Sequence, residues 1–268
     1  MNKGISTRQI RQILKQVIPL ARIAGEYMVK KLGQARVREK GEKDLVTEVD
    51  LWIESMYKEE LSRMWPDFGF LAEEEHSNFK PLGIYWAIDP LDGTNNYAHG
   101  YPVFCTSIAL MKGKTPLLGV VYDPLRDELF FSDGDRSFLN GKNITVSRIS
   151  KLSQALVCTG FAYRFRETKG DNNIQHFIDF LYASQGIRRD GSAALDLCYV
   201  ACGRLDGFWE LDLKSWDTSA GALIVRCAGG KVSKFSGKRY DPFYPEILAT
   251  NGRIHREMLR GLSGKEEK

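Results

Sequence analysis

The sequence predicts an α+β half followed by an α/β half, with the change near residue 150. Three observations carry that prediction. The segments "TSIALMKG", "PLLGVVYDP" and "DELFFSD" are apolar, short and separated by turn residues, as successive strands are. "LNGK" adds an Asn-Gly hairpin signal, so the pairing is expected to be antiparallel. Beyond residue 150, strand-like and helix-like stretches alternate instead, and neither a repeat nor a low-complexity linker marks the change.

The elements follow in order. Ile10, Ile13, Leu14, Val17, Ala21, Ala24 and Met28 share one face of a first helix. Gly33 supplies its stop, and Pro19 is expected to kink or divide it. A second helix runs from about Leu51 to Met64 through Ile53, Met56, Tyr57 and Leu61, with Asp50 placed to cap it. The strands and hairpin come next. The second half reads as a strand near Leu156, helices over Ile174 to Ala183 and Ala193 to Cys202, and a strand in "DGFWEL". A helix from Asp217 to Cys227, strands at Lys231 to Phe235 and Ile247 to Ala249, and a final helix complete it. The expected division is 1–150, 151–262 and a tail, 263–268, in which "GKEEK" is expected to be disordered.

Composition narrows the function. With 268 residues and 43% hydrophobic content, the chain can bury one substantial core or two that share an interface. A formal charge of +4, from 38 basic and 34 acidic residues, is too small and dispersed to mark a nucleic-acid footprint by itself. The five cysteines, Cys105, Cys158, Cys198, Cys202 and Cys227, form no C-x-x-C pair and lie mostly in apolar runs, as reduced thiols of a cytoplasmic protein do. No apolar run approaches the length of a membrane span and no signal-peptide pattern opens the chain, so neither export nor membrane insertion is expected.

The acidic residues point to chemistry. Asp89 ends the apolar run of "WAIDPLDGTNNYAHG" before Pro90, which places its carboxylate at a strand end. Asp92 follows one short turn later, and Gly93-Thr94 can open a helix whose free N–H groups would face an anion. Two carboxylates beside an anion repel it unless a divalent cation lies between. Glu73 to Glu75 in "FLAEEEH" and Asp217 in "KSWDTSAG" occupy similar strand-end and helix-start settings, and together these sites suggest a metal cage. Oxygen ligands without a His pair suit Mg²⁺ and argue against zinc.

Five stretches now carry a resemblance. "DLVTEVD", "AEEE", "WAIDPLDGTNNYAHG", "GSAALDLCYVACGRLDGFWEL" and "WDTSAGALIVRCAGG" resemble, in order and spacing, the motifs of the inositol monophosphatase family of Mg²⁺-dependent, lithium-sensitive phosphatases. The resemblance implies a layered αβαβα sandwich, a homodimer, and a phosphomonoesterase that uses activated water without a covalent intermediate. It implies that Glu73, Asp89 and the Leu91 carbonyl hold one Mg²⁺, that Asp89, Asp92 and Asp217 hold a second, and that a third lies near Glu73 through water. Asp50 and Thr94, with Glu73, match the groups that orient or deprotonate the nucleophile. Gly93 and Thr94 N–H groups match the phosphate cradle, and Ser192, Ala193 and Glu210 match positions that touch the hydroxyls of an inositol or sugar phosphate.

The remaining positions read more plainly. Glu74 and Glu75 read as a pair that is solvated or supports the ligands from behind, Lys40, Lys43 and His99 as surface residues, and Cys198, Cys202, Trp209 and Trp216 as packing. Arg164 and Arg166 in "GFAYRFRETKGDNN" either reach a second phosphate or stay solvated. Ala72 and Cys227 stand where the family more often has Gly and Glu. Alternative enzymes are a fructose-1,6-bisphosphatase or dual-activity form, a histidinol-phosphate phosphatase and a nucleotide 3′-phosphatase. The alternative outside enzymes is a binding protein of transcription complexes, for which a full set of acidic ligands would be unnecessary.

Overall fold

An apolar stripe makes the first helix, α1 (Thr7–Lys31), and Ser6 starts it: the Gln9 N–H donates to its hydroxyl, and its own N–H donates to the Gln9 side chain. Ile10, Ile13, Leu14, Val17, Ala21, Ala24 and Met28 are buried along it. Of the two outcomes expected of Pro19, a kink or a division, division does not occur: the helix runs through it. The bond it forfeits would end on the carbonyl of Lys15, and both residues are exposed, so that carbonyl is left on the solvent side of the helix. In this computed structural model the described residues are 5–41, 44–73, 79–161 and 173–263.

A hairpin of β1 (Val37–Gly41) and β2 (Asp44–Thr47) leads directly into α2 (Glu48–Met64). Here the sequence reading needs correction, because the N-cap is Thr47 rather than Asp50. The Thr47 hydroxyl accepts from the Val49 N–H, while Asp50, in the first turn, accepts from the Thr47 N–H at 2.8 Å. The chain continues through β3 (Gly69–Ala72), β4 (Ile84–Asp92), the short helix α3 (Thr94–Ala98), β5 (Cys105–Lys112), β6 (Thr115–Asp123) and β7 (Glu128–Ser132). The Asn140-Gly141 turn, both residues at positive φ, joins β8 (Ser137–Leu139) to β9 (Lys142–Asn143) as expected. These strands form a sheet of order β3-β4-β5-β6-β7-β8-β9, antiparallel except where β3 runs parallel to β4.

The second half alternates as read. It comprises β10 (Leu156–Thr159), α4 (Ile174–Ala183), β11 (Gly186–Arg188), α5 (Ala193–Ala201), β12 (Gly207–Leu211), α6 (Ser215–Cys227), β13 (Lys231–Ser233), β14 (Glu246–Thr250) and α7 (His255–Leu262). A mixed sheet results, in the order β11-β10-β12-β14-β13. The apolar run read before Glu73 is β3, whereas β1, β2 and β11 have no counterpart in the sequence reading.

The layers are αβαβα. Helices α1 and α2 cover one face of the larger sheet through Val17, Met28, Ile53, Tyr57, Ile108 and Val120. Helices α5 and α6 fill the space between the sheets, where Leu197, Cys198, Trp216, Ile224 and Ala249 share one apolar cluster. Helices α4 and α7 close the far side with Phe180, Met258 and Leu262 against Trp209 and Leu248. Cys198, Trp209 and Trp216 are therefore packing residues, as expected. Among the described residues, no helix is long and apolar enough to cross a membrane.

Candidate active site

The site begins with an irregularity in β4. Asp89 pairs with Ser107 and Asp92 with Cys105, so β4 carries one residue more than β5 across that span. In a regular strand, residues three apart point to opposite faces; the bulge restores Asp92 to the face of Asp89. The strand therefore runs on to Asp92 rather than ending at Asp89 as expected, and Pro90 sits inside the bulge, where no ladder bond is lost.

Neighbouring elements bring further acids to these two. Strand β3 runs parallel to β4 with Ala72 opposite Ile88, so the next residue, Glu73, emerges beside Asp89. Asp217 lies in the first turn of α6, where its Oδ2 accepts the Lys214 N–H at 2.7 Å. Asp89 Oδ1 accepts the Leu91 N–H at 3.0 Å, and Asp92 Oδ2 takes both the Ser192 hydroxyl and the Ala194 N–H at 2.7 Å. Each of these three carboxylates is thus oriented through one oxygen, which leaves the other for a ligand.

Asp50 joins from α2. Thr94 Oγ1 lies 2.9 Å from the Leu91 carbonyl and 3.2 Å from Asp50 Oδ1, with its one proton available to either. Gly93, ahead of Thr94, has φ of 93°, and a side chain there would meet the Val103 carbonyl at 2.8 Å, so glycine is required. The first-turn N–H groups that follow have no intrahelical acceptor.

The electrostatics of the cluster are those of a site built for a cation. Burial raises the Asp89 pKa well above the carboxylate range, and the charges of Glu73, Asp92, Asp217 and Asp50 add to that effect. Burial also raises Asp92, against the hydrogen bonds from Ser192 and Ala194, and raises Asp217, with the Asp92 charge as the next cause. Asp89 is buried, while Glu73, Asp92 and Asp217 are half-buried and so reachable from outside. Converging carboxylates, with no imidazole among them in the described residues, fit a hard divalent cation, and the mutual repulsion is what such an ion would relieve.

Glu210 stands on β12, against Gly160 after β10. A Cβ on Gly160 would collide with the Glu210 carboxylate, so the present position of that carboxylate depends on residue 160 having no side chain. Burial raises the Glu210 pKa to about 8, opposed by Arg189. Gly160 is also bonded by Asn173, a buried residue that sequence reasoning passed over. Its Oδ1 accepts the Trp209 indole N–H at 2.6 Å, and its Nδ2 donates to Thr159 Oγ1 at 2.8 Å and the Gly160 carbonyl at 2.7 Å. Ser192 and Ala193 are buried at the start of α5, with the Ser192 hydroxyl turned onto Asp92. His99 is exposed, as expected. Glu74, Glu75, Lys43, Arg164, Arg166 and the tail from 264 lie outside the described residues, as does the Lys40 side chain.

The sequence model of the inositol monophosphatase family matches residues 9–266. The chain belongs to this family. It is an enzyme of the inositol-1-monophosphatase type, and the comparisons agree over most of its length. It is 46% identical over 231 residues to an inositol-1-monophosphatase of Synechocystis, a match that covers 85% of this chain and 80% of that one. It is 41% identical to the Nus factor SuhB of Xylella fastidiosa, over 89% of this chain and 90% of that one. Among solved structures, the inositol monophosphatase of Anabaena superposes with a TM-score of 0.87 at 41% identity, covering 96% of this chain and 97% of that one. The layered architecture expected from the motifs is thus the family's architecture.

Proposed function

We infer that this member of the inositol monophosphatase family is a Mg²⁺-dependent phosphomonoesterase for inositol monophosphate or a related polyol or sugar phosphate. One observation carries the reading: Asp89 feels the charges of Glu73, Asp92, Asp217 and Asp50 together, with Thr94 bonded beside them. Glu73, Asp89 and the Leu91 carbonyl would hold one Mg²⁺, and Asp89, Asp92 and Asp217 a second, with a third near Glu73. When bound, such ions supply positive charge to the phosphate and leaving oxygens and acidify water.

The chain's own groups do the rest. Gly93 and Thr94 N–H groups hold the phosphate. The Thr94–Asp50 pair, with Glu73, orients the attacking water and receives its proton. Displacement goes directly to water, so no covalent phosphoenzyme forms. Glu210, with Ser192 and Ala193 beside Asp92, offers polar contacts to polyol hydroxyls. A homodimer in the cytoplasm belongs to the same reading.

Initial rates on a panel of phosphomonoesters, with and without Mg²⁺ and with LiCl titrated against NaCl and KCl, test it. Mg²⁺-dependent turnover that favours polyol phosphates and is inhibited selectively by LiCl is expected. Turnover independent of Mg²⁺ would overturn the reading. The 41% identity to a Nus factor supports a second role in a transcription complex. In that case Asp92→Asn would keep the partner while losing turnover.

A further inference from the structure

The geometry points to a second metal site, outside the acidic cluster of β4, formed by Cys158, Asp190 and Asp196 and suited to Zn²⁺. One ligand atom from each residue lies within 4.8 Å of the other two. Cys158 is on β10 between the sheet and α5, Asp196 is on α5, and Asp190 is in the stretch that enters α5. Three elements therefore converge on one point.

An independent observation marks that point as incomplete. Asp196 is only 1% exposed, and its Oδ1 is buried without a hydrogen-bond partner. Buried carboxylate oxygens are almost always paired, because an unpaired one forfeits its hydration and gains nothing in return. No Lys or Arg forms an ion pair with Asp196 among the described residues. A cation facing this oxygen supplies the missing partner.

The donor set decides which cation. A thiolate with carboxylates selects Zn²⁺ and its analogues Co²⁺ and Cd²⁺, whereas Mg²⁺ prefers oxygen alone. In tetrahedral coordination, with Zn–S of about 2.3 Å and Zn–O of about 2.1 Å, ligand atoms stand roughly 3.5 Å apart. The cluster thus has to close by about an ångström at most. Asp190, half-buried and outside any regular element, is the ligand able to move, and water completes the coordination. Burial raises the Cys158 thiol, and burial with the charges of Asp190 and Glu210 raises the Asp196 carboxyl, so the proton competes with an ion for both groups. Binding releases the thiol proton and any carboxyl proton to solvent while the metal takes their place.

The site ties β10 to α5, whose first turn orients Asp92 through Ser192 and Ala194. Its role is structural: the ion fixes the helix that holds an active-site carboxylate.

Co²⁺ titration of the reduced, metal-stripped full chain tests this without reference to activity. A thiolate-to-cobalt charge-transfer band in the near ultraviolet should saturate at one ion per chain. It should be displaced by equimolar Zn²⁺ but not by excess Mg²⁺. Cys158→Ser should abolish it, and the near-isosteric Asp196→Asn should weaken Co²⁺ binding at least tenfold with the far-ultraviolet circular dichroism unchanged. Absence of the band in the unsubstituted protein would overturn the proposal whatever the variants do. So would a band that survives Cys158→Ser and disappears with Cys105→Ser, since Cys105 lies near Asp92 and that result would place the thiolate in the active site.

Discussion

The Ser192 hydroxyl reaches the Asp92 carboxylate at 2.7 Å, joining two residues 100 apart in sequence and coupling α5 to the end of β4. Removal of an outer hydrogen bond of this kind costs a metal site about tenfold to a hundredfold in affinity. Ser192→Ala should therefore raise the Mg²⁺ concentration for half-maximal rate by that factor and leave kcat at saturating Mg²⁺ nearly unchanged. An unaltered Mg²⁺ requirement with a raised KM for polyol phosphates would instead place Ser192 against the substrate.

Asp92→Asn keeps the side-chain volume and an acceptor for Ser192 and Ala194 but removes the charge. Turnover should fall about a thousandfold or more. The fold should persist, and the metal-free variant should melt at or above the unsubstituted protein, because a like charge beside Asp89 is gone. Retention of a tenth of the activity would refute the metal assignment.

Glu210→Gln should alter preference among substrates rather than hydrolysis in general. With its pKa at about 8 in the metal-free protein, Glu210 is neutral below that pH and anionic above it; any cation near Asp217 draws the transition down. Glutamine mimics only the neutral form. The ratio of kcat/KM between the two enzymes should thus grow with rising pH for polyol phosphates. A charge-assisted bond stronger by about 1 kcal/mol corresponds to roughly fivefold. The ratio for an aryl phosphate should stay flat, and equal changes on both substrates would move Glu210 into the catalytic machinery.

His255 sets an acid limit on stability. Its ring lies between Ser233 Oγ at 3.0 Å and Thr250 Oγ1 at 2.9 Å, and burial, then the Lys231 charge, lowers its pKa from 6.5 to about 4. The unfolded chain binds a proton below pH 6.5 that the folded chain refuses until about 4. The contribution is therefore complete above 6.5 and is lost as pH falls to 4, by roughly 3 kcal/mol at most. Denaturant melts across that range should show the loss, and His255→Gln should flatten it. Parallel curves for the two proteins would exclude this cause.

Much of the architecture is legible in the sequence where an element is long enough to repeat its pattern. The face from Ile10 to Met28, the antiparallel run from Cys105 to Ser132, and α4 from Ile174 to Ala183 all carry enough turns or alternations to be read. Pro19 leaves α1 undivided because its cost depends on which face it occupies, and a local rule cannot see that face. The spacing Thr47-x-x-Asp50 was itself a capping-box signal, so the N-cap could have been found. The bulge between Asp89 and Asp92 was not readable, since it exists only relative to β5. Of the active site, the sequence showed which acids were unusual. That Glu73 emerges beside Asp89 depends on the parallel pairing of β3 with β4, and pairing is a property of two distant segments.

The bond from Asn173 Nδ2 to the Gly160 carbonyl ties the residue before α4 to the residue that follows β10, beside Glu210. Substitutions between positions 161 and 172 should therefore leave Glu210 and the acidic cluster in place. Whatever those positions contribute to substrate choice is thereby uncoupled from the carboxylates proposed for hydrolysis.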